Sequence, residues 1–219
     1  MPPESSNGAR RSPEQLGERL AGSRDITIDQ VDAAPNGVRG VAYPRRVRWV
    51  ALLRNVNQGQ RGNPSTADIR AGFTDAGCRN VELFQSNGTV LFDADDPVEA
   101  AERASAGIAA RSGHEREVYC IALASLAEAV DRHRDATDLR RYEFTLHGGG
   151  DLDPTAADVR KETDRHRCEI VDSGPGWAII HNRIDGEGHA TPVLESLTGG
   201  PATSRGLPTL VRLVSRFIR

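Results

Sequence analysis

Arg54 closes the apolar run VRWVALL and is followed at once by Asn55 and Asn57, so one guanidinium and two amides cluster at a strand end. A second polar cluster, Gln85, Ser86 and Asn87, separates VELF from TVLFD, and a lone Arg205 follows PATS near the C-terminus, with Thr209 four residues on. Guanidinium groups bind carboxylates and phosphates bidentately, and amides and hydroxyls orient a polar ligand by donating and accepting. The expected ligand-binding set is therefore Arg54, Asn55, Asn57, Gln85, Ser86, Asn87, Arg205 and Thr209, acting on a small anionic or polar metabolite. Some members also have a plainer role, which Gln85 and Ser86 lack. The arginines could form ion pairs between lobes, and Asn87 and Asn57 suit turns because Asn tolerates left-handed backbone.

Other chemistry finds less support. Lys161 is the sole lysine, which argues against Schiff-base or P-loop chemistry at any other position. Ser86 sits in QSNG rather than a GxSxG elbow, and no serine, histidine and acid spacing marks a triad. Cys78, Cys120 and Cys168 lie too far apart for a CxxC metal site and are odd in number, which points to a reducing, cytoplasmic setting. HNRIDGEGH, residues 181 to 189, holds two histidines and two carboxylates, yet its Asp-Gly and Glu-Gly pairs read first as a surface turn; no metal or other cofactor is expected. His147 precedes three glycines, where it could serve as an acid or base but is more simply a surface group. Asp131 and His133 lie in DRHRD, read as a solvated helix face.

With 28 basic and 31 acidic residues the formal charge is -3, so no basic field is available for nucleic acid. Windows of about 18 apolar residues are missing from the sequence, so a membrane span is not expected.

The elements that must position these groups follow from periodicity. Residues 1–46 are too poor in apolar side chains for a core and read as a flexible extension, with a helix start at Ser12 and Pro13 running through Leu20. From residue 47 onward strands and helices alternate. VRWVALL is a strand, Asn63 to Thr66 opens a helix that Gly77 ends, NVELF and TVLFD form a hairpin about Asn87-Gly88, Asp96-Pro97 opens a helix, and REVYCIA is a strand. That order, βαββαβ over residues 47–122, is the ferredoxin-like pattern. Residues 123–219 repeat it as βαββα, with a hairpin at Gly174-Pro175-Gly176 and two terminal helices. The expected fold is α+β: two ferredoxin-like lobes packed together, with C-terminal helices and a cleft between them.

Three segments also carry a family resemblance. LLRNVNQGQ, QSNGTVLF and PATSRGLPTLVRL resemble, in order, motifs of the DUF1697 family of uncharacterised bacterial proteins, over residues 47–219. The resemblance implies a two-lobed cytoplasmic α+β fold and keeps Arg54, Asn57, Gln85, Ser86, Arg205 and Thr209 in register. It implies no reaction. The chain departs from the family pattern at Asn55, where many members have Gly, and at Gly206, Leu207 and Pro208, where they have Asn-Trp-Asn. Two readings of another class compete with metabolite binding. One is a ferredoxin-like RNA-binding module, weakened by an aromatic content of 5%; the other is a regulatory scaffold that forms a homodimer.

Overall fold

The computed structural model describes residues 47–113 and 115–218. The expected extension, with its helix from Ser12 to Leu20, lies outside the described residues. Helices and strands are mixed in an α+β arrangement, in which two four-stranded antiparallel sheets belong to one compact unit.

The first sheet comprises β1 (Arg48–Leu53), β2 (Arg79–Phe84), β3 (Thr89–Asp93) and β4 (Val118–Ala122), in the spatial order β2-β3-β1-β4. Helices α1 (Thr66–Asp75) and α2 (Pro97–Ser112) are its crossovers. Their ends follow the sequence signals. Ser65 caps α1 and exchanges hydrogen bonds with Asp68, while Asp96 caps α2 with Pro97 in its first turn and left-handed Gly113 ends it. The second sheet comprises β5 (Tyr142–His147), β6 (Cys168–Gly174), β7 (Trp177–Asn182) and β8 (Ala202–Gly206), in the order β6-β7-β5-β8. Its crossovers are α4 (Ala157–Arg165) and α5 (Ala190–Thr198), while α3 (Leu123–Asp131) joins the sheets and α6 (Leu207–Phe217) follows the last strand.

One element departs from expectation. The second lobe is βαββαβ rather than βαββα, because ATSRG forms β8 and pairs antiparallel with β5, Phe144 opposite Arg205 and His147 opposite Ala202. Its residues are small, hydroxylated or charged, so the apolar alternation that marks a half-buried strand is missing. Burial here is achieved through hydrogen bonds.

Each sheet buries both faces, chiefly through its central strands. Val50, Leu52, Leu91 and Ile121 of the first sheet share one core with Phe144, Leu146 and Ile179 of the second, and apolar faces of α3 and α6 complete it. On the opposite faces, Ala51, Val90 and Phe92 pack against α1 and α2, and Ala178, Ile180 and Ala202 pack against α5. A shared core makes the lobes one cooperative unit rather than hinged modules. Among the described residues no helix is long and apolar enough to cross a membrane.

Candidate functional site

Arg205 lies on the strand that sequence reasoning missed, and that placement decides its role. β8 adjoins the first lobe, and the Arg205 side chain, 9% exposed, passes into the seam between lobes. Nε donates to Thr89 Oγ1 at 3.1 Å; Nη1 donates to Thr203 Oγ1 at 3.2 Å and to the Ser204 carbonyl at 2.7 Å. Nη2 donates to the Leu53 carbonyl at 2.9 Å and to the Asn87 carbonyl. A guanidinium has five N–H groups, and all five find acceptors within the protein. Burial without a compensating carboxylate pulls its pKa down to about 10, so it stays charged at neutral pH.

Arg54 sits differently on the same seam. It follows the last residue of β1, its backbone N–H bonds the Glu117 carbonyl, and its side chain is 23% exposed. Nη2 meets Glu195 of α5 at 2.8 Å, an ion pair from one lobe to the other, and Nη1 lies 3.5 Å from Glu117 ahead of β4. The hydrogen bond it donates to Glu195 is the main reason its pKa is raised. Nε, by contrast, is buried and has no acceptor among the described residues. Glu195 also accepts from the Ala202 N–H at 3.2 Å, which fixes the carboxylate to the start of β8. Tyr119 of β4 completes the rim: its hydroxyl donates to the Pro201 carbonyl at 2.7 Å, and burial, seconded by Glu117, raises its pKa.

The amide cluster divides between turn chemistry and joinery. Asn55 and Gln85 are exposed and adopt positive φ, 51° and 61°, so each supplies a left-handed turn residue. The Asn57 N–H bonds Asn63 Oδ1 at 2.9 Å and closes its own loop. The Ser86 carbonyl accepts from the Gln58 N–H at 2.8 Å, tying the loop after β1 to the β2–β3 turn. Asn87 Oδ1 accepts from Thr89 Oγ1 at 2.8 Å, so Asn87 and Thr89 are preorganised for Arg205. Gly88 permits the close approach beneath, because at φ 71° a Cβ would lie 2.8 Å from Val56. Thr209 stands apart on the first turn of α6, where it accepts from Arg212 at 3.2 Å.

Structure thus joins Arg205 to Asn87 and joins Arg54 to residues that sequence reasoning had not selected: Glu117, Tyr119 and Glu195. No spacing signal could mark these three, because Glu117 and Glu195 meet Arg54 from 63 and 141 residues away. Gln58 was also passed over; its Nε2 is buried without a partner while its Oε1 accepts from Thr66 at 2.7 Å.

Elsewhere the plainer readings divide. Within HNRIDGEGH, His181 meets Glu169 at 2.9 Å and His189 meets Glu187 at 2.9 Å, and among the described residues no group of three or more His, Cys, Asp or Glu converges as a metal site. His133 does more than face solvent: with Arg132 it grips Asp172 of β6, at 3.0 Å and 2.8 Å. Burial pushes the Cys120 thiol up to about 12 and Cys168 up to about 11, which suppresses thiolate chemistry. His147 is not a surface group. It is 4% exposed.

No curated protein matches the chain. The described fold is similar to "The structure of conserved bacterial protein SP0830 from Streptococcus pneumoniae", with a TM-score of 0.52 and 18% identity over 80% of this chain and 99% of that one. The family model described as "Protein of unknown function (DUF1697)" matches residues 47–170, the segment holding Arg54, the QSNG turn, Glu117 and Tyr119. With that match spanning more than half of its length, the chain belongs to the DUF1697 family.

Proposed function

We propose that the protein binds a small polar metabolite at the rim of the seam between its two lobes, with Arg54 as the principal contact. Each lobe is read as a ferredoxin-like repeat and the setting as cytoplasmic. Arg205 is the buried post that holds the rim in place. The observation that carries this reading is the Arg54 side chain, which reaches from one lobe to an acid of the other, remains partly exposed, and keeps a buried Nε–H with no acceptor among the described residues. An unpaired buried donor costs free energy unless a ligand or water completes it.

The local charge narrows the ligand class. One guanidinium faces two carboxylates, Glu117 and Glu195, so the cluster carries an excess negative charge. A purely anionic metabolite would have to displace Glu195 against that charge. A zwitterion carries a carboxylate for the guanidinium and an ammonium for the glutamates, and satisfies both. The anionic expectation is thereby narrowed to molecules bearing both charges, such as amino acids and their derivatives.

A thermal-shift screen with amino acids, simple carboxylates and phosphate esters tests this. Zwitterions are expected to raise the melting temperature of the wild type and to lose that effect in Arg54→Ala and Glu195→Gln. Equal ligand shifts in wild type and both variants would sink the reading. The RNA-binding alternative has less support, since base stacking uses an open sheet face and both faces of each sheet here are covered.

A further inference from the structure

His147 ends β5, directly opposite Ala202, and its backbone N–H bonds the Gly176 carbonyl at 3.0 Å. Its imidazole is buried, and among the described residues neither Nδ1 nor Nε2 makes a well-aligned hydrogen bond, the Trp177 backbone being the polar group that acts on the ring. What covers it is unusual. Gly148, Gly149 and Gly150 follow, and a Cβ placed on Gly149 would stand 2.6 Å from Thr198 Cβ and 3.5 Å from His147 Nδ1. The loop therefore lies tightly between the imidazole and the end of α5, where any side chain would be excluded. A Cβ on Gly148 would come 3.8 Å from the Tyr119 ring, so the same loop borders the seam.

A proton arriving on His147 would find little to receive it. Asp151, on the loop and exposed, is the charge that acts on it. Glu143, four residues back on the same face of β5, is held by Asn182 at 2.9 Å. On α5, Glu195 is engaged by Arg54 and Ala202, and Tyr119 of β4 is engaged by Pro201. From β7, the Trp177 backbone makes a poorly aligned hydrogen bond with the imidazole that favours its proton, but less strongly than burial opposes it. Burial of an imidazole under such conditions favours the neutral form and holds its pKa below the usual range.

We infer that the end of β5 and its glycine loop form an acid-opened flap: gaining a proton at His147 drives the imidazole out from under Gly149, and the loop lifts from the end of α5 beside the seam. Three consecutive glycines supply the backbone freedom for that movement. Opening would alter the wall next to Tyr119, which gives the binding reading a pH dependence but does not rely on it.

The test uses the full chain without ligand. Ring protons of His147 are titrated by NMR, and amide protection of residues 147–151 and 198–202 is measured from pH 7.5 to 5. In the wild type, protection factors are expected to fall up to about tenfold per pH unit below about 6.5, because the open state binds one more proton. In His147→Gln they should stay level. Level protection in the wild type, or an equal fall in both proteins, overturns the inference. So does titration of His147 at its ordinary value, a result that needs only the wild type should the variant fail to fold. Failure to find a metabolite leaves this result untouched.

Discussion

Arg205 and Arg54 occupy the interior and the rim of one seam and carry the same charge, yet their surroundings assign them opposite roles. Inside, Arg205 exhausts its donors on carbonyls and hydroxyls from both lobes and meets no carboxylate. At the rim, Arg54 faces two glutamates, is partly solvated, and has a donor left over. The difference teaches that residue type and position at a strand end do not separate a structural arginine from a binding one. What separates them is how many of the five donors the fold consumes.

The most damaging change should be at the interior. Arg205→Met is expected to cost about 4 kcal/mol in urea unfolding, since several acceptors lose a charged donor at once. Arg205→Lys should recover less than half, because an ammonium cannot span the same set of acceptors. A loss below about 1 kcal/mol would erase the distinction between the two arginines. Next comes the turn that delivers Asn87 to Arg205. Gly88→Ala combines positive φ with a clash against Val56 and should cost about 2 to 3 kcal/mol, whereas Gly113→Ala, at φ 69° with open space around it, should cost about 1 kcal/mol. If the two variants melt alike, the floor beneath Arg205 is less rigid than its contacts imply.

Acid should act on the seam's neighbour more gently. A histidine with a depressed native pKa adds no penalty above its unfolded value of about 6.5; as pH falls below that, the unfolded state takes up the proton first and stability drops by up to about 1.4 kcal/mol per unit. The decline ends once pH passes below the native pKa. His147→Gln should remove this slope from a series of pH-dependent melts. The smallest stability effect belongs to Arg54→Ala, within about 1 kcal/mol because a partly solvated ion pair contributes little. Its consequence should instead be loss of the ligand shift. A large stability loss at Arg54 would make the rim as structural as the interior.

The two lobes differ in how much of them the sequence reveals. In the first, every boundary signal is local: Ser65 and Asp96 cap helices, Gly77 and Gly113 end them, and the Asn87-Gly88 pair marks the hairpin. The second lobe has α4 and α5 without side-chain caps, and its last strand carries no apolar signal. That strand is stabilised by pairing with β5 and by Arg205, both of which depend on distant residues. The candidate site was half legible for the same reason. Arg54 stood out at its strand end, whereas Glu117, Tyr119 and Glu195 had no local pattern to mark them.

Local order in this chain therefore came from its amino acids directly: α+β class, the positions of most strands and helices, and Arg54 and Arg205 as unusual groups. Tertiary structure decided which arginine is consumed, which acids face the other, and that His147 is buried under glycine rather than solvated. The physical reason is range. Capping, turn conformation and apolar periodicity act within a few residues, while donor satisfaction, burial and charge balance at the seam are set by groups brought together from 63 to 152 positions apart.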